Sequence, residues 1–187
     1  PKDVASGNYE VIVTDNDSPD DSLKAFREYA KKTKIKSFHV VDNGGNIGFA
    51  AGNNKGLPFA KGRYILFLNP DTVVYPKTLS YMLQFMEDHP DAGAATCKLE
   101  IPSGGIDEAS HRGFPTPWNA FSHFSKLEKV FPKSRLFGGY IQGWKNMHEV
   151  HEVDAVTGAF LLIPREIGEQ VGWWDEEYFF YGEDLQF

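Results

Sequence analysis

The sequence predicts an α/β fold in which a mostly parallel sheet is flanked by helices. Its first half alternates short apolar runs, typical of buried strands, with segments of helical periodicity. The runs that predict strands are residues 10–14, 37–41, 64–68 and 92–99. Short turns join them to the intervening helices, which favours right-handed crossovers between parallel strands. Residues 100–152 are rich in Gly, Pro, Ser and aromatic side chains, so the second half is expected to be irregular.

Helix signals lie between and after these strands. Ser18 is the expected N-cap of the first helix, because Pro19 follows it at the first helical position and Asp21 lies three residues on. Further helices are predicted over residues 49–60, 75–88, 118–130 and 164–171, and another strand within residues 153–163.

Composition limits the function classes. The 187 residues suit one domain, and 19 Lys+Arg against 26 Asp+Glu give a net charge of −7. An acidic chain without basic runs is a poor nucleic-acid binder. The single cysteine, Cys97, excludes an intramolecular disulfide framework and fits a reducing, cytoplasmic compartment. No apolar run reaches the roughly 20 residues of a membrane span.

Acids and amides follow the first three predicted strands. Asp15 and Asn16 follow the first, Asp42 the second, and Asn69 and Asp71 the third. Ligands of open parallel sheets bind beyond the carboxyl ends of the strands. Carboxylate oxygens at that edge suit a hard divalent cation that shares its coordination with substrate phosphates.

Two further segments bear on chemistry. The loop from Asn43 to Gly48 lacks the dinucleotide-binding glycine spacing, but its glycines let the backbone approach a ligand closely. Glu183 and Asp184 form a carboxylate pair beside apolar rings, which suits general-base catalysis, although acids are also favoured at helix N-termini.

Other polar and aromatic groups leave alternatives open. Six aromatic residues within 173–181 are too many for the core alone, so Trp174 is a candidate for stacking on a sugar. Arg112 could offer a cation to a diphosphate or be an ordinary loop arginine. His148 and His151 match no metal-binding spacing and favour a polar turn.

Five motifs, taken together in this order, resemble glycosyltransferase family 2 and in particular its rhamnosyltransferase-like branch. They cover nearly the whole chain and are Val11–Ser18, Asn46–Asn54, Ile65–Thr72, Thr157–Phe160 and Asp175–Asp184. The resemblance implies a GT-A fold and inverting, metal-dependent transfer of a sugar from a nucleotide-diphospho-sugar, with Mg²⁺ or Mn²⁺ as cofactor.

The resemblance also implies roles for individual residues. Asp15 would contact the base or ribose, and Asp42 would lie near the nucleotide. Asp71 would bind the metal, with Asn69 standing where many relatives carry another Asp. Asp184 would deprotonate the acceptor hydroxyl, with Glu183 as the other candidate base. The expected substrate contacts are completed by Asn16, Asn46, Gly48 and Trp174.

Substrates and domain limits follow as expectations. The donor considered first is dTDP-rhamnose, and the acceptor would be a glycan or a lipid-linked saccharide, handled at the inner face of the membrane if the chain associates with it. Residues 1–99 would form the nucleotide-sugar half and 100–187 the acceptor-side half of one domain, truncated before Pro1 and after Phe187 relative to the family pattern. Two alternatives are a catalytically silent sugar-nucleotide or glycan-binding domain and a nucleotidyltransferase, although the phosphate loop of the latter is missing.

Overall fold

The computed structural model describes residue 4 and residues 8–107 and 110–186. Pro1 and Phe187, where truncation is expected, lie outside these residues. The strands are β1 (Val11–Asp15), β2 (Phe38–Asp42), β3 (Tyr64–Leu68) and β4 (Phe160–Pro164). The helices are α1 (Ser22–Lys32), α2 (Phe49–Asn54), α3 (Thr78–Asp88), α4 (Pro117–Phe124), α5 (Leu127–Val130), α6 (Arg165–Val171) and α7 (Glu183–Gln186), with a 3₁₀ turn at Leu57–Phe59.

The β1–β2 pair brings two predicted site residues level with each other. The strands are parallel, and their register runs from Val11 opposite Phe38 to Asp15 opposite Asp42. Helix α1 packs against β2, where the rings of Tyr29 and Phe38 lie 5.4 Å apart. The polar ends of both strands therefore open at one edge, as the sequence predicts.

The central pair, β3 and β4, is antiparallel, with Leu68 opposite Phe160 and Tyr64 opposite Pro164. The α/β class is thus confirmed. In place of one mostly parallel sheet, the described residues form two separate two-stranded sheets, the parallel pair β1–β2 and the antiparallel pair β3–β4. In an antiparallel pair the carboxyl end of β3 meets the start of β4, and the Asn69 amide accordingly donates to the Ala159 carbonyl at 3.1 Å.

Two hydrophobic clusters occupy opposite faces of the β3–β4 pair, because strand side chains alternate with a period of two. One cluster contains Ile65, Phe67, Leu161 and Ile163 with Ala50 and Trp174. The other contains Phe160 and Leu162 with Met86 and Ala95. Helices therefore cover both faces, α2 on one side and α3 on the other.

The predicted strand over residues 92–99 is wrong. The segment makes a single bridge to β4, at Ala95 opposite Leu162. Directly after it, the Thr96 hydroxyl donates to the Phe160 carbonyl at 2.7 Å. Beyond the bridge, a side-chain hydroxyl and not a backbone amide contacts β4, and no further bridge to β4 follows among the described residues.

Helix starts also differ from the prediction. Helix α1 has Asp21 as its N-cap, while the Ser18 amide donates to the Asp15 carboxylate at 3.2 Å, so Ser18 belongs to the turn after β1. The predicted helix over 118–130 is two helices, because Lys126 has a φ of 62° and reverses the chain between them. Within the described residues, no helix is long and apolar enough to cross a membrane.

Candidate active site

The turns after β1 and β2 are tied together by side-chain amides. The Asn16 amide donates to the Gly48 carbonyl at 2.8 Å, and the Asn43 amide donates to the Asn16 side-chain oxygen at 2.7 Å. Asp15, which is buried, accepts the Ser18 amide from the turn that follows β1. The structure therefore brings these predicted donor-side residues together. Asn16 fixes the position of the loop from Asn43 to Gly48, called here the glycine-rich loop.

Asp42 and Asn46 support the same loop from within. One Asp42 carboxylate oxygen accepts from Arg27 at 2.9 Å and the other from the Gly44 amide at 2.9 Å. The side-chain oxygen of Asn46 accepts from the Gly48 amide at 3.1 Å. Both residues shape the backbone that a ligand would meet, and the Asp42 carboxylate is already engaged by the chain itself.

Asn69 and Asp71 lie in the turn that follows β3. The Asn69 carbonyl accepts the Thr72 amide at 3.1 Å, which closes the turn. Asp71 is exposed, and no side chain in the described ranges forms a hydrogen bond or ion pair with its carboxylate. Residues 8–107 and 110–186 contain no cluster of three or more His, Cys, Asp or Glu side chains arranged for a metal.

These two side chains fit a divalent cation only as a partial ligand set. A carboxylate and an amide carbonyl are hard oxygen donors, and Asp71 is free to turn toward a ligand. A cation such as Mg²⁺ commonly takes one or two protein carboxylates and completes its coordination with substrate phosphates and water. The turn after β3 is therefore suited to a metal that arrives with a diphosphate.

The acidic pair at the start of α7 is largely removed from solvent. Asp184 forms an ion pair with Arg112, and their side chains are 12% and 17% exposed. Arg112 also donates toward the Tyr140 hydroxyl at 3.4 Å. Glu183 is buried, and its Oε2 has no hydrogen-bond partner among the described residues.

Burial changes the proton affinity of both carboxyls. It raises the pKa of Asp184, and the positive charge and hydrogen bond of Arg112 offset part of the increase. Burial likewise raises the pKa of Glu183, where the charge of Asp184 adds to the effect and Arg112 opposes it. A carboxylate with a raised pKa is a stronger base, so this pair is suited to accept a proton.

A backbone contact brings the segment before the acidic pair against the glycine-rich loop. The Phe49 amide, at the start of α2, donates to the Phe179 carbonyl at 2.9 Å. Gly48 has a φ of 92°, and a Cβ at this position would lie 2.6 Å from the same carbonyl oxygen. Only glycine therefore allows residue 179 to lie against the glycine-rich loop, four residues before Glu183.

Trp174 is located in the core, which argues against its expected contact with a sugar. Its ring is 2% exposed and packs edge-on against Phe49 and Phe67, with centroids 5.6 and 5.0 Å away. Asn54 holds its backbone by donating to the Trp174 carbonyl at 2.8 Å. The exposed aromatic rings of this segment are instead those of Tyr178, Phe179, Phe180 and Tyr181.

Arg112 is the site residue whose role sequence reasoning left undecided. It lies 72 residues from Asp184, and no local spacing relates the two. Its backbone is bonded in both directions to Ala155, at 3.1 and 2.9 Å, which positions the guanidinium beside α7. Arg112 Nε is buried and finds no hydrogen-bond partner among the described residues.

Known proteins resemble this chain along most of its length. The family model "Glycosyl transferase family 2" matches residues 2–149. The low-salt glycan biosynthesis hexosyltransferase Agl10 of Haloferax volcanii is 24% identical over 97% of this chain and 53% of its own length. Rhamnosyltransferase WbbL of Escherichia coli is 26% identical over 95% of this chain and 64% of its own length. The chain thus spans about half to two thirds of these relatives.

The fold has a counterpart among solved structures. The mannosyltransferase PcManGT from Pyrobaculum calidifontis, solved in complex with GDP-Man and Mn²⁺, superposes with a TM-score of 0.59 at 20% identity. The match covers 95% of this chain and 40% of that one, and it establishes the GT-A fold. The family resemblance of the five motifs is confirmed by these matches: the chain belongs to glycosyltransferase family 2.

Proposed function

We propose that this chain forms the catalytic part of an inverting, metal-dependent glycosyltransferase. It would move a hexosyl or rhamnosyl unit from a nucleotide-diphospho-sugar, with dTDP-rhamnose considered first, to a glycan or lipid-linked saccharide. The observation that carries the proposal is the Phe49–Phe179 backbone bond. This bond joins the glycine-rich loop, where the donor would bind, to the segment that bears Glu183 and Asp184. The donor and the general base would therefore lie close together. The names of WbbL and Agl10 support rhamnosyl or hexosyl transfer.

The donor would bind at the turns after β1 and β2. Asp15 and Asn16 would contact the base and ribose, while Asn46 and Gly48 shape the loop that approaches the nucleotide. Asp42 would act through that loop, because Arg27 and Gly44 already engage its carboxylate.

Asp71 and Asn69 would hold Mg²⁺ or Mn²⁺ together with the donor diphosphate. The metal, when bound, neutralises negative charge on the departing diphosphate. The Mn²⁺ in the PcManGT structure supports the use of a divalent cation in this fold.

In the proposed transfer step, the protein accepts one proton from the acceptor. Asp184 takes the proton of the acceptor hydroxyl, whose oxygen attacks the anomeric carbon. The bond from that carbon to the diphosphate oxygen breaks, and the nucleoside diphosphate leaves with the bonding electrons. A single in-line displacement inverts the anomeric configuration. Glu183, whose pKa is raised by burial and further by the charge of Asp184, would be the other candidate base.

The base assignment is tested by Asp184→Asn, which removes the proton acceptor. Release of nucleotide from dTDP-rhamnose, GDP-mannose or UDP-glucose in the presence of an acceptor saccharide should fall by about 10²–10⁴-fold. The matched control is Asp91→Asn, since Asp91 is exposed and lies outside the site. Unchanged turnover of Asp184→Asn would exclude Asp184 as the base.

The metal assignment is tested by Asp71→Ala with titration of Mn²⁺ in the presence of a nucleoside diphosphate. We expect calorimetry to show a loss of the cation-dependent component of nucleotide binding, with Asp91→Ala unchanged. Equal Mn²⁺-dependent binding in both variants would contradict the assignment.

A second candidate, a silent sugar-nucleotide or glycan-binding domain, is favoured by one observation. Arg112 already forms an ion pair with Asp184, and this ion pair must be at least partly broken before Asp184 accepts a proton. A silent domain would bind a sugar nucleotide or glycan in calorimetry and transfer no sugar from any of the three donors.

A further inference from the structure

Residues 118–136, which comprise most of α4, all of α5 and the segment that follows, carry an exposed surface of apolar and basic side chains, called here the aromatic–basic patch. Its apolar members are Trp118, Phe121, Phe124, Val130, Phe131 and Leu136, all exposed. Its basic members are Lys126, Lys129, Lys133 and Arg135, which are also exposed.

Three of the apolar members form one group of neighbouring rings. Trp118 lies 5.6 Å from Phe121 and 6.1 Å from Phe137, measured between ring centroids, and Phe137 lies 5.2 Å from Phe131. On α4, Trp118, Phe121 and Phe124 recur every three residues and so share one face. This face is turned toward solvent, because all three side chains are exposed.

The exposure of these large apolar groups is high, reaching 82% at Phe124 and 61% at Leu136. Contiguous exposed apolar surface of this kind marks a site of association with a protein or a membrane.

Charge distinguishes between these partners. Residues 114–136 contain four Lys and Arg against one Glu, within a chain of net charge −7. The one acid, Glu128, is 3% exposed and bonded to His123, so it does not offset the basic surface. None of the four cations forms an ion pair with the described residues.

We propose that the aromatic–basic patch docks the chain onto a bilayer of anionic lipids. Apolar side chains interleaved with cations are the pattern by which interfacial helices insert rings at the headgroup level while Lys and Arg contact acidic headgroups. Trp118 fits this role, because its indole N–H donates to the Leu136 carbonyl at 2.7 Å and its ring is free to lie in the interface. The docking concerns where the chain is held and stands independently of the proposed transfer.

Vesicle sedimentation tests the proposal without any donor or acceptor. The purified chain should sediment with vesicles of phosphatidylcholine and phosphatidylglycerol in equal amounts and should remain in the supernatant with phosphatidylcholine alone. Added salt should release the bound protein, because it screens the attraction between cations and headgroups.

Two variants separate the apolar and basic contributions. Phe121→Ser combined with Phe124→Ser should weaken binding roughly tenfold or more, and Lys129→Gln combined with Lys133→Gln should do the same. The matched controls are Val73→Ser with Tyr81→Ser and Lys31→Gln with Lys32→Gln, which change exposed apolar and basic residues elsewhere. Circular dichroism verifies folding, and Phe124→Ser alone provides a milder variant.

Three results would overturn the docking surface. The first is that the parent chain does not bind the anionic vesicles, and the second is that it binds both kinds of vesicle equally. The third is that the patch variants and their controls weaken binding by the same factor. Sedimentation velocity showing that the patch variants abolish a dimer while leaving vesicle binding intact would instead assign the surface to a second copy. A parent chain that binds the anionic vesicles but transfers no sugar would count against the proposed function alone.

Discussion

At the scale of single residues, Arg112 connects the parts of the candidate site. Its guanidinium pairs with Asp184 and reaches the Tyr140 hydroxyl, while its backbone is bonded to Ala155. Without Arg112, the Asp184 carboxylate would remain buried with no compensating charge. A buried charge deprived of its partner is costly, whereas an exposed ion pair contributes little.

Arg112→Gln is therefore expected to lower the free energy of unfolding by about 3 kcal/mol. Arg27→Gln is the control, since it breaks an ion pair whose side chains are 55% and 38% exposed and should cost at most about 1 kcal/mol. Urea denaturation followed by circular dichroism measures both. Similar losses in the two variants would show that the Arg112–Asp184 pair is effectively solvated.

The buried carboxyl of Glu183 predicts a pH dependence of stability. Its pKa is raised in the folded chain, so the folded state holds more protons than the unfolded state between the ordinary and the raised value. Stability from this group is complete below the ordinary pKa and is lost as the pH rises through the raised pKa. Asp184 acts in the same direction, and Arg112 opposes both.

Glu183→Gln removes the ionisation and should make the chain more stable than the parent at neutral pH. The melting temperature, followed from about pH 4 to pH 8, should decline less steeply in the variant than in the parent. The control is Glu177→Gln, an exposed acid of the same segment. Parallel melting curves for parent and Glu183→Gln would contradict the effect of burial.

At the scale of elements, the loop between β2 and α2 is the point where the two halves of the site meet. Gly48 caps the start of α2 and lies against Phe179, and its carbonyl accepts a hydrogen bond from the side-chain amide of Asn16. Its positive φ and the lack of a side chain are both required. Gly44, in the same loop, also has a positive φ, but a Cβ added there would meet no other atom within 4 Å.

Gly48→Ala is expected to cost about 2 kcal/mol or more, because left-handed strain adds to the contact with the Phe179 carbonyl. Gly44→Ala carries the strain alone and should cost about 1 kcal/mol. Urea denaturation gives the two values, and nucleotide release should fall in Gly48→Ala more than in Gly44→Ala. Equal effects would mean that the Phe179 segment can move away from the loop without loss.

At the scale of the whole molecule, the β3–β4 pair links the two hydrophobic clusters. Leu161 and Leu162 are neighbours in β4 and face opposite clusters. A substitution that disrupts one cluster therefore also disturbs the strands that support the other cluster. The chain is accordingly expected to unfold as one cooperative unit.

Trp174→Ala should lower the free energy of unfolding by about 3–5 kcal/mol, because it leaves a cavity between Phe49 and Phe67. Tyr81→Ala, on the exposed face of α3, should change it by about 0.5 kcal/mol or less. Circular dichroism and tryptophan fluorescence should report one coincident transition in the parent chain. Two separate transitions would show that the clusters unfold independently.

Local sequence patterns predict which helices and strands form better than they predict the residues at which these elements begin and end. The apolar run of β3 and the polar residues after β1, β2 and β3 were all identifiable, because burial and turn chemistry act on neighbouring residues. The segment over 92–99 looks like a strand and is not one, because a strand needs continuous pairing with a neighbour, and this segment bridges to β4 only at Ala95. Trp174 looks available for a sugar until packing against Phe49 and Phe67 is known.

The sequence by itself determined the α/β class and the family, and it supplied the carboxylates proposed for catalysis, because strand periodicity and the residues within each motif are properties of neighbouring positions. Only the tertiary structure decided that β3 pairs antiparallel with β4, that Arg112 neutralises Asp184, and that Trp174 belongs to the core. These outcomes depend on contacts between residues far apart in the chain. Such contacts are selected by the burial of apolar surface and the pairing of buried charge, which no local pattern encodes.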